Sequence, residues 1–171
     1  MIFVTVGTHE QPFNRLIEKM DELVEKGEIK EKVVVQYGFS TYEAKHCEMH
    51  KMMSFDEMQQ TFKDARIVIT HGGPSSFVEA LQYGKVPIVV PRQLEFNEHV
   101  NNHQVDFTKL IAKRMNNIIP VYDIDDLGKT IVNYDTIVKT KNTGESSNNK
   151  KFNADLGRIV DQLMPPIVKL N

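Results

Sequence analysis

The sequence predicts an α/β fold of the Rossmann-like kind, with a mostly parallel β-sheet and helices packed on both faces. Short runs of β-branched and aliphatic residues alternate along the chain with longer segments of helical period. This alternation is typical of parallel strands joined by crossover helices. The 171 residues are 40% hydrophobic, which suits one domain of ordinary size with a single core.

The first elements are predicted to be a strand, a helix and two further strands. Residues 2–6 form a strand of the buried type, and apolar side chains from 16 to 24 then recur at helical spacing. Residues 33–37 repeat the strand pattern. Residues 47–52 predict a weaker third strand, either antiparallel or irregular.

The middle of the chain continues the alternation. Residues 55–63 suit a short helix with Ser54 as its N-cap and two acidic residues in its first turn. A strand over residues 66–70 follows directly. The next predicted helix, residues 74–83, begins with proline and is followed by glycine, the usual asymmetry of helix ends. Residues 86–90 then form another strand.

Three more elements complete the predicted domain. They are a long helix over residues 97–113, a strand over residues 117–121 and a helix over residues 124–138. Each follows the preceding element after a short loop, so the β–α order is kept to the end of the domain.

The last part of the chain is predicted to leave this domain. Residues 140–154 are polar and poor in apolar side chains, which indicates a mobile linker. They would separate the domain of residues 1–139 from a C-terminal segment, residues 155–171, that begins as a short helix. That segment could dock on a partner, pack on the domain or fray.

Composition excludes several functional classes. The 21 basic and 23 acidic residues give a net charge of -2, so no basic field predicts binding to nucleic acid. The single Cys47 cannot form an internal disulfide, and the N-terminus has no leader pattern, so we expect a cytoplasmic protein. Its apolar runs are too short to cross a membrane, so any work at a membrane would need recruitment.

The turn between the strand at 66–70 and the following helix is a candidate anion site. Two glycines permit close backbone approach, and the helix start offers unpaired N–H groups beside Ser75 and Ser76. Such an arrangement suits a diphosphate. Glu79 lies one turn further along, where its carboxylate could accept both hydroxyl hydrogens of a ribose. An ordinary capped surface helix would show the same residues.

Two common nucleotide motifs are missing from the sequence. No G-x-G-x-x-G pattern follows the first strand, and no G-x-x-x-x-G-K-[ST] loop occurs. The sequence therefore gives little support for a dinucleotide-dependent oxidoreductase or a kinase.

The stretch from Gln93 to Gln104 gathers amides and a carboxylate at the start of a predicted helix. Asn97 pairs with Asn101, and Glu98 with Asn102, at a spacing of four residues. These groups suit sugar hydroxyls, and they equally suit helix capping. His99 and His103 have a zinc-binding spacing, but the sequence offers no H-E-x-x-H order and no third ligand, so no metal is expected.

The loop after the first strand carries Gly7, Thr8 and His9, where ligands approach the carboxyl ends of parallel strands. His9 is the candidate general base toward an acceptor hydroxyl, since an imidazole can take up a proton near neutral pH. The alternatives are an ordinary loop histidine or one that orients the donor phosphates.

Taken in order, these motifs resemble the C-terminal, donor-binding half of the GT-B glycosyltransferases of family 28. Val4-Thr5-Val6-Gly7-Thr8, His71-Gly72-Gly73-Pro74-Ser75-Ser76, Glu79 with Gly84-Lys85-Val86-Pro87, and Asn102-His103-Gln104 carry the resemblance. It is closest to the free-standing catalytic subunits of bacterial capsular and exopolysaccharide β-1,4-galactosyltransferases and of dolichol-linked GlcNAc transfer in eukaryotes.

The resemblance implies an inverting transferase that binds a UDP-sugar without a metal or other cofactor. Glu79 would hold the ribose, the 72–76 turn the diphosphate and the main chain near Phe55 the uracil. The donor sugar, galactose or GlcNAc with galactose favoured, would meet the polar stretch before the long helix. The substrate-binding candidates are Gly7, Thr8, Phe55, His71, Gly72, Gly73, Ser75, Ser76, Glu79, Gln93, Glu98, Asn102 and Gln104.

The resemblance also implies a partner, because two-domain members place the acceptor site in a separate N-terminal half. A membrane-associated acceptor-binding subunit would recruit the chain to the inner face of the plasma membrane, where a lipid-linked saccharide for surface polysaccharide is the acceptor. Self-association into a homo-oligomer stays open. The alternatives are a non-catalytic UDP-sugar-binding or regulatory subunit and a protein like the sugar-nucleotide epimerases.

Overall fold

The computed structural model describes residues 1–143 and 149–163. Within these residues six strands form one sheet in the order β3-β2-β1-β4-β5-β6, and all five neighbouring pairs are parallel. The strands are β1 (Ile2–Thr5), β2 (Val33–Gln36), β3 (Glu48–His50), β4 (Ile67–His71), β5 (Ile88–Val90) and β6 (Ile119–Pro120). The predicted Rossmann-like α/β class is confirmed.

Helices join the strands and continue after the last one. They are α1 (Asn14–Glu25), α2 (Phe55–Asp64), α3 (Pro74–Gln82), α4 (His103–Met115), α5 (Asp126–Val132), α6 (Tyr134–Val138) and α7 (Asn149–Leu163), with a short 3-10 helix at Leu94–Phe96.

The sheet is covered on both faces, because successive strand side chains point to opposite sides. Ile2 and Val4 of β1 pack with α1, α5 and α6 in the larger core cluster. Phe3, between them, faces the other side and packs with Phe62 of α2 and Ala80 of α3. Burial on both faces explains why the strands read as continuous apolar runs rather than as alternating patterns.

Local end signals placed the central helices correctly. Ser54 caps α2 through a capping box, in which its Oγ accepts the Glu57 N–H while the Glu57 carboxylate accepts the Ser54 N–H. Pro74 begins α3, and Gly84 follows its end with a φ of +70°. These boundaries depend on neighbouring residues alone, so the sequence contains the information.

The weaker strand differs from its prediction. β3 is regular and parallel to β2, with Val35 opposite Met49. It forms one edge of the sheet, beyond β2.

The long helix predicted from residue 97 is also wrong at its start, because α4 begins at His103. Asn97 has a φ of +56°, which interrupts any helix there. Glu98 and Asn102 instead accept hydrogen bonds from the N–H groups of Gln93 and Leu94. Polar side chains that bond the local backbone compete with helix formation, so these residues form a compact loop.

The helix predicted over residues 124–138 is divided into α5 and α6 at Asn133. The Asn133 amide donates to the carbonyl of Lys129, and the next residue, Tyr134, turns inward to donate its hydroxyl to the Val86 carbonyl. This buried long-range bond fixes the break between the two helices.

The C-terminal helix begins earlier than predicted. α7 starts at Asn149, within the segment assigned to the linker, while residues 144–148 and 164–171 lie outside the described residues. None of the helices in the part of the chain that the structure describes is long and apolar enough to span a membrane.

Candidate functional site

A cavity of about 520 Å³ opens at the carboxyl ends of β1, β2 and β4. The order of the strands switches between β1 and β4. From β1 the chain adds β2 and β3 on one side of the sheet, and it then returns to add β4, β5 and β6 on the other side. Ligands of open α/β sheets bind at such switch points, and the volume is that of a small-molecule site.

His71, the last residue of β4, forms one wall of the cavity. Its Nδ1 accepts the Gly73 N–H at 3.0 Å, so in the neutral ring the proton is on Nε2, 3.2 Å from the Ser76 hydroxyl oxygen. Burial, reinforced by the charge of Arg92, lowers the pKa of His71 to about 4. Because the neutral ring donates to Ser76, the Ser76 hydroxyl hydrogen is available to an anionic ligand.

Two glycines let the backbone pass close to this ring. A Cβ atom on Gly7 would lie 2.5 Å from Nε2 of His71, and one on Gly73 would lie 2.2 Å from Cε1. Gly7 also has a φ of +74°, which side chains rarely adopt. The two loops therefore enclose the imidazole and fix its position in the wall.

Helix α3 begins at the cavity, where Ser75 and Ser76 contribute to its lining. The unpaired N–H groups of a first helical turn attract anions. Glu79 lies one turn further on and is half-buried, and burial raises its pKa. Within residues 1–143 and 149–163 its carboxylate makes no hydrogen bond, so it is available to a pair of hydroxyl groups.

His9 also lines the cavity, from the loop after β1. Its Nε2 is 2.9 Å from Oε1 of Gln11, whose amide nitrogen donates to the Asn97 carbonyl. Since a carbonyl oxygen can only accept, Nε2 carries the proton and Nδ1 of the neutral ring is left as the basic nitrogen. The ring stacks on His99 at a centroid distance of 4.6 Å.

His99 in turn contacts His103 edge-on, with ring centroids 4.5 Å apart. Burial and the neighbouring positive groups lower the pKa of His99. Among the described residues, no group of three or more His, Cys, Asp or Glu side chains is arranged to hold a metal ion. The packed rings of His9, His99 and His103 instead support the loop that carries His9.

The structure brings six of the sequence-predicted residues together around the cavity. They are Gly7, Thr8, His9, His71, Ser75 and Ser76. Gly72 lies behind this wall, where its N–H donates to Gln104 at 3.0 Å. Phe55 begins α2 with 72% of its surface exposed, outside the cavity.

The four residues predicted to face the donor sugar make contacts within the protein. Glu98 is 2% exposed, and its two carboxylate oxygens accept hydrogen bonds from the Arg15 guanidinium at 2.8 and 2.9 Å. Gln93 donates its amide N–H to the carbonyl of Tyr122. These side chains brace the loop between β5 and α4, and their role toward a sugar stays a prediction.

Gln104 and Asn102 brace the same loop from its other end. Oε1 of Gln104 accepts the N–H groups of Gly72 and Arg92 at 3.0 and 3.1 Å, which joins the turn after β4 to the end of β5. Asn102 accepts the N–H of Leu94 at 2.8 Å. Gln104 therefore links the two loops by hydrogen bonds, behind the cavity wall.

Sequence reasoning missed a second buried amide, Gln36, at the end of β2. Its Oε1 accepts the Thr5 hydroxyl at 2.6 Å, and Thr5 in turn accepts the Gly7 N–H. Its amide nitrogen donates to the carbonyls of Gly7 and Lys51. A glutamine directly after three valines is a polar residue at a strand end, and that signal was present in the sequence.

Three methionines complete the cavity wall on the side of α2. Met52 and Met53 come from the segment before the helix and Met58 from its first turns. Flexible thioether side chains pack well against flat unsaturated rings. No sequence signal separates them from ordinary core methionines, because their placement depends on how α2 packs on β2.

Comparisons with known proteins agree with this architecture. The family model described as the glycosyltransferase family 28 C-terminal domain matches residues 1–158. Among solved structures, the chain is similar to the glycotransferase of kitacinnamycin, with a TM-score of 0.66 and 16% identity over 96% of this chain and 43% of that chain. It is also similar to CalG4, the calicheamicin glycosyltransferase, with a TM-score of 0.60 and 13% identity over 96% of this chain and 44% of that chain.

A third similar structure is the glycosyltransferase SnogD from Streptomyces nogalater, with a TM-score of 0.54 and 15% identity over 92% of this chain and 43% of that chain. Comparison with curated proteins finds no match. The chain thus spans less than half the length of these structures, as expected for one half of a GT-B fold. From the family match over residues 1–158, the chain belongs to the glycosyltransferase family 28 C-terminal domain family.

Proposed function

We propose that this chain is the donor-binding, catalytic subunit of an inverting glycosyltransferase that moves a hexose from a UDP-sugar to a lipid-linked saccharide. One observation carries the proposal: the cavity at the switch point of the sheet lies between two glycine loops and the start of α3. This geometry suits a diphosphate, and family membership makes a nucleotide-sugar the expected donor.

The remaining contacts fit the other parts of the donor. In this proposal Glu79, one turn along α3 and without a hydrogen-bond partner in the described structure, accepts hydrogen bonds from the ribose hydroxyls. The wall of Met52, Met53 and Met58 offers apolar surface for the uracil ring. Galactose is favoured over GlcNAc as the transferred sugar by the resemblance of the motifs alone.

The chemistry we propose needs no metal. The acceptor oxygen forms a bond to the anomeric carbon from the face opposite UDP, and the bond from that carbon to the diphosphate oxygen breaks. The acceptor proton passes to Nδ1 of His9, and the negative charge that develops on UDP is stabilised by N–H groups at the start of α3. Attack from the opposite face inverts the configuration.

We propose that the acceptor site lies in a second, membrane-associated subunit. The similar solved structures are more than twice as long as this chain, and in this proposal the partner supplies a unit that corresponds to the rest of such a fold. The cavity is open at the strand ends, where such a subunit would approach His9.

Calorimetry of the full chain tests donor binding. We expect UDP to bind, and addition of the partner to leave that binding in place. Absence of heat with UDP and with UDP-galactose at millimolar concentration, both with and without the partner, would remove the basis of the proposal.

A transfer assay with the co-expressed pair separates a catalytic subunit from a regulatory one. A panel of UDP-sugars and a lipid-linked monosaccharide would serve as substrates. We expect His9→Ala to reduce turnover by about 100-fold with UDP affinity retained, the range for a general base. Glu79→Ala should weaken donor binding, while His50→Ala at the edge strand serves as the control. Unchanged transfer in both His9→Ala and Glu79→Ala would place catalysis in the partner.

A further inference from the structure

Arg92 is a fully buried cation directly behind the cavity wall. It follows β5, and its guanidinium donates to the backbone carbonyls of Val6, Gln11 and Glu98 at 2.9, 2.7 and 3.1 Å. The group also lies 4.9 Å from the centre of the Phe13 ring. No ligand in the cavity can touch it.

Arg92 forms no direct ion pair within the described residues, although the charge of Glu98 favours its protonated form. Among the residues that the structure describes, no Asp or Glu oxygen lies within 4 Å of it, and Glu98 gives its carboxylate to Arg15. Burial lowers the pKa of Arg92 to about 10, so it remains positive at neutral pH. A fourth, longer contact goes to the carbonyl of Pro12 at 3.4 Å. Burial of a cation without a direct ion pair is costly, and these four carbonyl contacts compensate only in part.

The cavity itself lacks a permanent positive charge. Neither Lys nor Arg occurs among its lining residues in the described structure, and His71 is neutral because of its lowered pKa. A nucleoside diphosphate would bring at least two negative charges into this space. The buried guanidinium is a permanent cation that hydrogen bonds tie to the wall.

Two short hydrogen-bonded routes connect Arg92 to the wall. It holds the carbonyl of Val6, whose next residue, Gly7, borders the cavity. Its own N–H and that of Gly72 share one oxygen of Gln104. Arg92 thus joins the loop after β1 to the turn after β4.

We propose that Arg92 is a positioning residue that fixes both glycine loops and supplies the permanent positive charge that favours a diphosphate it never touches. The inference rests on the proposed function, namely that the cavity binds a nucleoside diphosphate. A charge in the protein interior acts strongly over several ångströms, since little solvent screens it.

Binding of UDP and of uridine to matched variants tests this proposal. Uridine shares the base and ribose but has no phosphate. In Arg92→Met we expect UDP affinity to fall by about tenfold or more while uridine affinity stays within about twofold. Arg92→Lys, which keeps the charge, should recover most of the preference for UDP. Equal losses for both ligands in Arg92→Met, or no recovery with lysine, would reduce Arg92 to a structural role.

The wild-type protein provides a test that does not depend on the folding of a variant. The preference for UDP over uridine should persist between about 0.05 and 0.5 M NaCl, because salt screens exposed charges and hardly reaches buried ones. Collapse of that preference at high salt would assign it to surface groups and overturn the proposal.

Histidine titration by NMR in the ligand-free protein separates this inference from the proposed function. The Arg92 charge contributes to the lowered pKa values of His71 and His99, so both should rise in Arg92→Met and less in Arg92→Lys. Unchanged histidine pKa values would contradict the inference. If wild-type protein bound neither UDP nor uridine, the proposed function would fail, whereas a histidine shift would still show the field of Arg92 at the cavity wall.

Discussion

His71 shows how much of this site depends on close approach between single residues. The ring occupies space that is available only because Gly7 and Gly73 lack side chains, and it makes the hydrogen bonds that orient Ser76. Packing therefore fixes the tautomer of the ring and the direction of a hydroxyl. Two glycine substitutions can separate this packing effect from backbone strain.

Replacement of Gly7 by alanine should damage the site beyond the cost of its backbone conformation. Gly27 has a similar φ of +71° but nothing within 4 Å of an added Cβ, so Gly27→Ala measures backbone strain alone, about 1 kcal/mol. Gly7→Ala adds the collision with His71 and should also weaken UDP binding, as measured by calorimetry. Equal behaviour of the two variants would mean that the ring moves aside without consequence.

Glu79 should control the preference for ribose. A carboxylate that accepts two hydroxyl hydrogens contributes about 1.5–3 kcal/mol per charged hydrogen bond. We expect Glu79→Gln to weaken UDP binding by about tenfold or more. The same variant should lose less affinity for 2′-deoxyuridine diphosphate, which has one hydroxyl fewer. Glu43→Gln, at an exposed position, is the control, and a uniform loss for both nucleotides would argue against ribose contact.

The residues whose place in the secondary structure was predicted correctly are those fixed by near neighbours in the chain. Ser75, Ser76 and Glu79 have fixed positions in a helix that begins with a proline and is followed by a glycine. Gln104 differs, because its partners Gly72 and Arg92 are 32 and 12 residues away along the chain. Contacts at that distance exist only in the folded sheet, so the sequence could not reveal that this amide braces two loops.

At the scale of whole elements, the loop between β5 and α4 shows the same limit. Its polar residues have helical spacing, and the sequence therefore predicted a helix from residue 97. The Arg15–Glu98 ion pair, which bridges 83 positions, and the left-handed Asn97 produce a loop instead. Strands, caps and the turn at Gly72 were predictable because local chemistry determines them.

Helix α7 presents an apolar face to solvent, which supports the proposed docking role of the C-terminal segment. Phe152, Leu156, Ile159 and Leu163 recur at helical spacing and are 58, 46, 52 and 76% exposed. We expect Leu156→Glu combined with Ile159→Glu to abolish co-purification of the partner. The free energy of unfolding should change by less than about 0.5 kcal/mol, since neither residue is buried.

A charge-matched control for α7 comes from the opposite side of the same helix. Ala154→Glu combined with Gly157→Glu adds the same two charges there and should leave the complex intact. Loss of the complex in both double variants would indicate a general charge effect. Retention in both would place the partner on another surface, such as the rim of the cavity near His9.

For the molecule as a whole, residues that affect both stability and the proposed function lie at the switch point of the sheet. The central strands β1 and β4 are buried along their whole length; the loop after β1 carries His9, and β4 ends at His71. Because burial keeps His71 neutral, the stability of the whole domain depends on pH. Acidic groups at the other end of the sheet change the free energy of unfolding in a different pH range.

His71 should make folding weaken as pH falls from about 6.5 to about 4. Its pKa is about 4 in the folded protein and 6.5 as the reference value, so the unfolded chain binds the proton first and the neutral folded form loses its advantage across this range. Each such group contributes a slope of up to about 1.4 kcal/mol per pH unit. In urea unfolding curves, His71→Asn should remove most of that slope, with a remainder from His99.

Glu31, held by Arg66 at a pKa of about 2, loses its stabilisation only as pH falls from about 4.5 toward 2. Glu31→Gln therefore serves as the control, because it should alter the acidic range and leave the slope between pH 6.5 and pH 4.5 unchanged. A slope that survives His71→Asn there would show that the ring is already protonated in the folded protein, contrary to the hydrogen bond from Gly73.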